Sequence, residues 1–552
     1  MYLFVKFCNM KEILKDYKYL ILLWLLTIIG LFFYCGHYSN ILIDFGREVY
    51  YPEQILQGKV LFKDLFNIYG PLSYQVNALL YKVFGTKLTT LYGAGWICSL
   101  LAISGIYLIA QKFLSKFASF CIGFFTICVC VTTTSIFSFH FPYSWAILYG
   151  LISFLYSLYF LLNYLDDKKD LNLCISSFLA GCCITNKYDF ILYAFVILYF
   201  IVKEKNWKAF LSFISAPLIS YGILFIQGMK FSELFKELQI VGAMSKTKTL
   251  TYFYQNVGVY FHYKAIITDI VLFIKNAIPF GLIAYGALLF EKNKLGASIV
   301  SIVGYFLLIV LFSANMVASF GFLPILLLIL TIVCFKKLDI KQKTLIISSI
   351  LVSAKVFWLL HLIFYGNYYV SVILISIFVL LLTLLPKNLE KVMSIYLLIT
   401  AFSFLFGNIY SYKNTLGNKV ETNRGFVYVD NLYYKSTNDL LNFIKNKTKP
   451  SDRVVIFPEG MMINFLADRN GDDYYNSLIP LYVETFGEDK ITEYYKEKMP
   501  EYIVFSNLSM KDYYFQYICN DYALGFCGFV NQNYTQESVI DKDFRYMIFK
   551  RK

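Results

Sequence analysis

Asp44, Arg47 and Glu48 fall within one helical turn of each other, a few residues beyond an apolar stretch that ends near position 36. That spacing sets a carboxylate at the edge of a membrane, where it is costly unless it has a partner or a task. Arg47 is the sole arginine ahead of Arg424 in a chain that otherwise uses lysine. A guanidinium offers a planar, bidentate fork for phosphate or carboxylate, which an ammonium does not. Each residue also has a plainer reading. Asp44 is placed to cap a helix lying in the interface, and Arg47 to pair with Glu48 or Glu53. Asp64, upstream of Tyr69-Gly70-Pro71, suits a turn as well as a site. Lys187, next to Tyr188 and Asp189, suits an anion or a snorkelling position at the interface.

The elements that must hold these residues are membrane helices. The chain has 552 residues, 58% of them hydrophobic and 16% charged, with a mean hydropathy of +0.58. A soluble chain averages about 25% charged. Apolar runs long enough to cross a bilayer recur along residues 1–411, and roughly 13 spans are expected. With the N-terminus in the cytoplasm, Lys112, Lys116, Lys168, Lys169, Lys203, Lys205, Lys336, Lys337, Lys387 and Lys391 all fall in cytoplasmic loops, while the short outer loops hold almost no lysine, Lys187 being the exception. This is the positive-inside pattern. It accounts for the net charge of +14 without a basic stripe for nucleic acid. The first apolar block lacks a small-residue cleavage site and reads as a retained span. Segments 37–87, 227–268 and 412–552 then face outward, with the four histidines at or near that side. His262 and His361 are the histidines offered as site candidates, with Lys264 beside the first. Residues 48–57, 71–84 and 233–237 read as amphipathic helices in the interface. Lys355 is a lone charge in the eleventh apolar run.

Residues 412–552 read as a separate, small extracytoplasmic α/β domain. A capping-box-like start at Ser436-Thr-Asn-Asp439 predicts a helix over 437–447. Strands are expected at 453–457, 501–506 and 544–550, and helices at 460–467, 490–498 and 509–519. Most of the twelve cysteines lie in apolar runs; Cys519 and Cys527 lie in the polar tail, where an oxidising compartment permits a disulfide.

The first outer loop resembles the GT-C superfamily of membrane glycosyltransferases, in the bacterial branch of protein O-mannosyltransferases and lipid A aminoarabinose transferases. Asp44 matches the acidic residue early in that loop, and Asp64 the aspartate ahead of a Gly-Pro turn. Phe141-Pro-Tyr-Ser144, Asn186-Lys187-Tyr188-Asp189 and Pro458-Glu-Gly460…Asn464-Phe-Leu extend the likeness more loosely; the Trp-Trp-Asp sequence of oligosaccharyltransferases is missing. The resemblance implies a bacterial plasma-membrane enzyme with a GT-C-like helical domain. It would move a sugar from a polyprenyl-phosphate donor to a hydroxyl on a lipid, glycan or protein, with inversion. Asp44 would be the catalytic base. Arg47, Lys187 and Lys264 would stabilise the departing phosphate, and Glu48, Asp64, Tyr188, His262 and His361 complete the binding candidates. No tight metal site is expected, although Asp44, Glu48 and Asp64 are oxygen donors of the type that take Mg or Mn. A transporter or flippase of lipid-linked glycans, a glycan ligase or polymerase, and a non-catalytic surface protein are the competing classes. Few midplane charges and no internal repeat argue against transport.

Overall fold

A computed structural model describes residues 2–290, 292–312, 315–415, 417–471 and 474–552; for 2–16, 265, 364 and 411–415 it describes the backbone alone. Every apolar run read from the sequence is helical. Among the described residues, eight helices are long and apolar enough to cross a membrane: Tyr17–Tyr34, Leu88–Gln111, Trp145–Asp167, Trp207–Ile226, Ile266–Leu289, Lys294–Leu311, Met316–Lys337 and Leu389–Tyr410. The chain is a multi-pass membrane protein. The remaining apolar runs form shorter helices because polar residues interrupt them. Asp170–Asn186 and Ile191–Lys203 are parted by Lys187, and Ile340–Val352 gives way at Ser353 to the short helix Ala354–Leu359. Side chains at the loop ends start several helices. The Asn206 side chain accepts the Ala209 N–H at 3.0 Å. Asp339 and Gln342 cap each other's backbone at 2.8 and 3.0 Å.

Between the first two spans, Gly46–Leu56 and Leu72–Phe84 are helices; after Ile226 come Phe231–Met244 and Lys248–Asn256. The C-terminal part is a small sheet domain. Strands β1 (Asn418–Thr422) and β2 (Gly425–Val429) form an antiparallel hairpin. A second sheet holds β3 (Val454–Phe457), β4 (Tyr502–Ser506), β5 (Tyr534–Asp541) and β6 (Arg545–Arg551) in the order β3-β4-β6-β5. The β3–β4 pair is parallel and the others antiparallel. All residues of β3 and β4 are buried, so both strands read as unbroken apolar runs.

Two local expectations change. The helix expected from 437 begins at Asn431, because Asp430 accepts the Leu432 N–H at 2.8 Å and caps it. Ser436 is buried inside that helix, where Asp543 accepts its backbone N–H at 2.8 Å. Residues 509–519 form only a short turn, Lys511–Tyr513, and Cys519 is disulfide-bonded to Cys527.

The sheet domain is docked on the loop between the first two spans by polar contacts around a wide perimeter. Tyr50 accepts the Gly471 N–H at 2.8 Å, and Asn476 donates to Tyr51 at 3.1 Å. Arg424 bridges Glu53 at 2.6 Å, Asp468 and the Thr86 carbonyl at 3.0 Å. His37 stacks on Tyr428 at 3.7 Å. At the centre, the helix Gly46–Leu56 lies against Met461–Ala467 so closely that a Cβ on Gly46 would sit 2.7 Å from the Met462 nitrogen. Gly46→Ala therefore forces backbones apart, at a cost of about 1–3 kcal/mol. A lower Tm in detergent and faster proteolytic release of the C-terminal domain are expected; an unchanged Tm would contradict this docking.

Candidate active site

The site grows from the start of the Gly46–Leu56 helix. Glu48 is fully buried and all its acceptors are in use. It takes the Trp145 N–H at 3.0 Å, the Tyr74 hydroxyl at 3.3 Å and Arg47 Nε at 3.4 Å. Burial pushes its carboxyl above the ordinary value, against the pull of Arg47 and the Trp145 N–H. Glu48 thus ties the first loop to the span at Trp145 and aims Arg47. The guanidinium lies 4.8 Å from the Tyr69 ring and 5.9 Å from the Tyr143 ring.

Tyr69 is placed by the turn after it. Gly70 donates its N–H to the Asn186 carbonyl at 3.0 Å, and a Cβ there would lie 1.9 Å from the Thr185 carbonyl oxygen, so only glycine fits. This contact brings Lys187 to the same ring, at 5.2 Å. Lys187 also pairs with Asp189 at 3.3 Å. Lys187, Asp189, Lys355 and Tyr365 line a small cleft, in which Lys355 is exposed and lies 4.9 Å from the Tyr365 ring. Two cations converging on one tyrosine, with a third in the cleft that Lys187 also lines, make an environment for an anion.

Asp44 is half-buried at the start of this helix, its N–H bonded to the Asn40 carbonyl at 3.0 Å. Burial raises its carboxyl from 3.8 to about 6, while the Asn40 side chain and Arg47 pull it down. From the C-terminal domain comes Glu459, whose carboxyl is pushed to about 8 by burial and by the charge of Asp44, with Arg47 opposing. Sequence reasoning missed Glu459 and Lys355 as site residues. Glu459 stands in a motif noticed only for its likeness to related tails, and Lys355 was seen only as a stray charge in an apolar run.

The other candidates lie elsewhere. Asp64 accepts the Val60 N–H at 2.9 Å and closes a turn. The Tyr188 hydroxyl meets that of Tyr221 at 2.9 Å. His262 caps the helix Tyr263–Leu289 by accepting the Lys264 N–H at 3.2 Å, and the Lys264 side chain is exposed. His361 Nδ1 is 2.9 Å from each oxygen of the buried Asp269, a pairing not foreseen because the two are far apart in sequence. The three loop carboxylates do not fit a shared cation. Glu48 is saturated and Asp64 is held in its turn, and no group of three acidic, histidine or cysteine side chains suited to a metal occurs among the described residues.

No family model matches the chain, and no curated protein does. Among solved structures, ArnT from Cupriavidus metallidurans in the apo state aligns over 96% of this chain and 97% of its own, at 15% identity and a TM-score of 0.42. The same protein bound to undecaprenyl phosphate aligns over 97% and 98%, at 14% identity and 0.43. The archaeal oligosaccharyltransferase AglB from Archaeoglobus fulgidus, in complex with an inhibitory peptide and a dolichol-phosphate, aligns over 89% of this chain and 69% of its own, at 11% and 0.44.

The two loop carboxylates should respond oppositely to removal. An acid whose folded pKa lies near 6 rather than 3.8 weakens folding above pH 6 by roughly 3 kcal/mol, and not at all below pH 4. Asp44→Asn should therefore raise Tm at pH 7 and leave it unchanged near pH 4. Glu48→Ala leaves Arg47 buried without its partner and should cost about 3–5 kcal/mol. Thermal unfolding of both variants in detergent checks the pair.

Proposed function

We propose that this protein is a glycosyltransferase that moves a sugar from a polyprenyl-phosphate carrier to a hydroxyl acceptor at the outer face of a bacterial plasma membrane. The observation that carries this reading is the convergence of Arg47 and Lys187 on Tyr69, beside a half-buried Asp44, where the first loop enters the membrane domain. A lipid phosphate anchored in the bilayer would bring its charge to that level. The likeness of the first loop to GT-C enzymes supports the same reading, and lysine asymmetry supports a cytoplasmic N-terminus with the site and residues 412–552 outside.

The acceptor oxygen attacks the anomeric carbon from the face opposite the phosphate. A carbon–oxygen bond to the acceptor forms as the bond to the phosphate oxygen breaks, and the electron pair leaves on the lipid phosphate. The acceptor's proton passes to Asp44, whose pKa near 6 keeps it ionised yet basic at neutral pH. Arg47 and Lys187 meet the charge building on the phosphate. One displacement inverts the anomeric centre. A flippase, the second reading, would use the same cations to hold the phosphate but would have no need of Asp44.

Host strains carrying wild-type protein, a deletion, or Asp44→Asn at equal membrane abundance separate these readings by the masses of their surface glycans and lipid-linked sugars. Transfer predicts that the deletion and Asp44→Asn strains lose the same sugar and accumulate its lipid-linked donor. A normal profile in Asp44→Asn alongside a changed one in the deletion contradicts it. Arg47→Lys keeps the charge and loses the fork, and should slow transfer by roughly 10²-fold. Activity should fall as the pH drops through about 6, because the base becomes protonated.

A further inference from the structure

Glu459 follows β3 at the carboxyl end of the parallel β3–β4 pair, the end at which α/β sheets present ligand crevices. Its backbone is bridged to Ser477, and the Leu478 N–H bonds the Pro458 carbonyl at 2.9 Å, so the residue is held in a short ladder rather than a free loop. Two residues later Met461 and Met462 meet Gly46, itself two residues after Asp44. The tight backbone contact at 46 and 461–462 therefore brings the two carboxylates, one from each half of the molecule, near each other, and both are partly accessible. Asp44 and Arg47 from the membrane domain, and Tyr482, Tyr513 and Tyr522 from the C-terminal domain, lie within electrostatic reach of Glu459.

We propose that Glu459 is the second carboxylate of the reaction site, contributed by the C-terminal domain, and that it donates a hydrogen bond to the acceptor while Asp44 takes the acceptor's proton. The proposal rests on the glycosyl-transfer reading of this site. Two neighbouring carboxylates that are largely buried do not both ionise readily; one keeps its proton. Between about pH 6 and about pH 8 the proton is on Glu459, since Asp44 ionises first and its charge then holds the proton opposite. A protonated carboxyl is a donor and an acceptor, suited to hold a sugar hydroxyl while Asp44 waits as base. During transfer Glu459 keeps its proton: the one proton that moves leaves the acceptor for Asp44, and the leaving electron pair goes to the lipid phosphate. The C-terminal domain is then a working half of the active site.

The test uses purified full-length protein in detergent and, as donor and acceptor, membranes of the deletion strain, with loss of the accumulated lipid-linked donor followed by mass from pH 5.5 to 9. Wild type should give a bell, rising through about 6 and falling through about 8. Glu459→Gln cannot ionise yet still donates, so it should run about three- to tenfold slower at pH 7 and lose the alkaline fall. Glu459→Ala should be slower by more than about 100-fold, rates being taken on the fraction that elutes as a single folded species. A Glu459→Gln variant as slow as Glu459→Ala, or one that keeps the wild-type alkaline fall, overturns the proposal. Because Glu459→Gln is nearly isosteric, its profile decides the matter even where the alanine variant does not fold. No consumption of donor by wild type at any pH overturns the glycosyl-transfer reading itself, and this inference with it.

Discussion

A buried guanidinium has to be matched, and the match between Arg47 and Glu48 organises this molecule. Glu48 reaches the Trp145 N–H and the Tyr74 hydroxyl as well as Arg47, so one carboxylate fixes the first loop, the span that begins at Trp145 and the helix Leu72–Phe84 against each other. Without it the cation would sit unpaired in a low-dielectric pocket, a cost several times that of an ordinary surface contact. With it, Arg47 has a face free for aromatic stacking, and Tyr69 becomes the plate on which Arg47 and Lys187 meet.

Two glycines set the distances in that arrangement. Gly70 allows the first loop to rest on the backbone at 185–186, which brings Lys187 to the ring. Gly46 allows the C-terminal domain to press against the loop, which brings Glu459 to Asp44. Both work by lacking a Cβ, and both lie at junctions between segments remote in sequence. The polar perimeter of Tyr50, Tyr51, Glu53 and Arg424 holds the domain in register around them. Asp44 itself is held under strain of a useful kind. Its burial raises its proton affinity toward neutrality, which weakens the fold and equips a base.

Much of this was legible in the sequence. Apolar run length located the membrane helices, since it reflects solvent rather than detailed packing. Asp44 and Arg47 stood out because a charge at a membrane edge and a lone arginine each demand a reason. What stayed hidden depends on contacts across the chain. Glu48 looked like a ligand-binding group, and only its three partners show that it is an anchor. Glu459 lies more than 400 residues from Asp44, and nothing in local pattern joins them. Asp269 and His361 are hidden for the same reason. The helix starting at Asn431 was misplaced because Asp430 caps it, while Ser436, read as its start, is buried inside it and bonded to Asp543.

The central claim is that the Arg47–Tyr69–Lys187 cluster receives a lipid phosphate beside Asp44. The most direct measurement is a structure of the protein in lipid with undecaprenyl phosphate added. The account predicts phosphate density within hydrogen-bond reach of Arg47 or Lys187, with the polyprenyl tail leaving toward the spans. A phosphate bound at the His262–Lys264 surface, or anywhere away from the Arg47–Tyr69–Lys187 cluster and the adjoining cleft at Lys355, would contradict it.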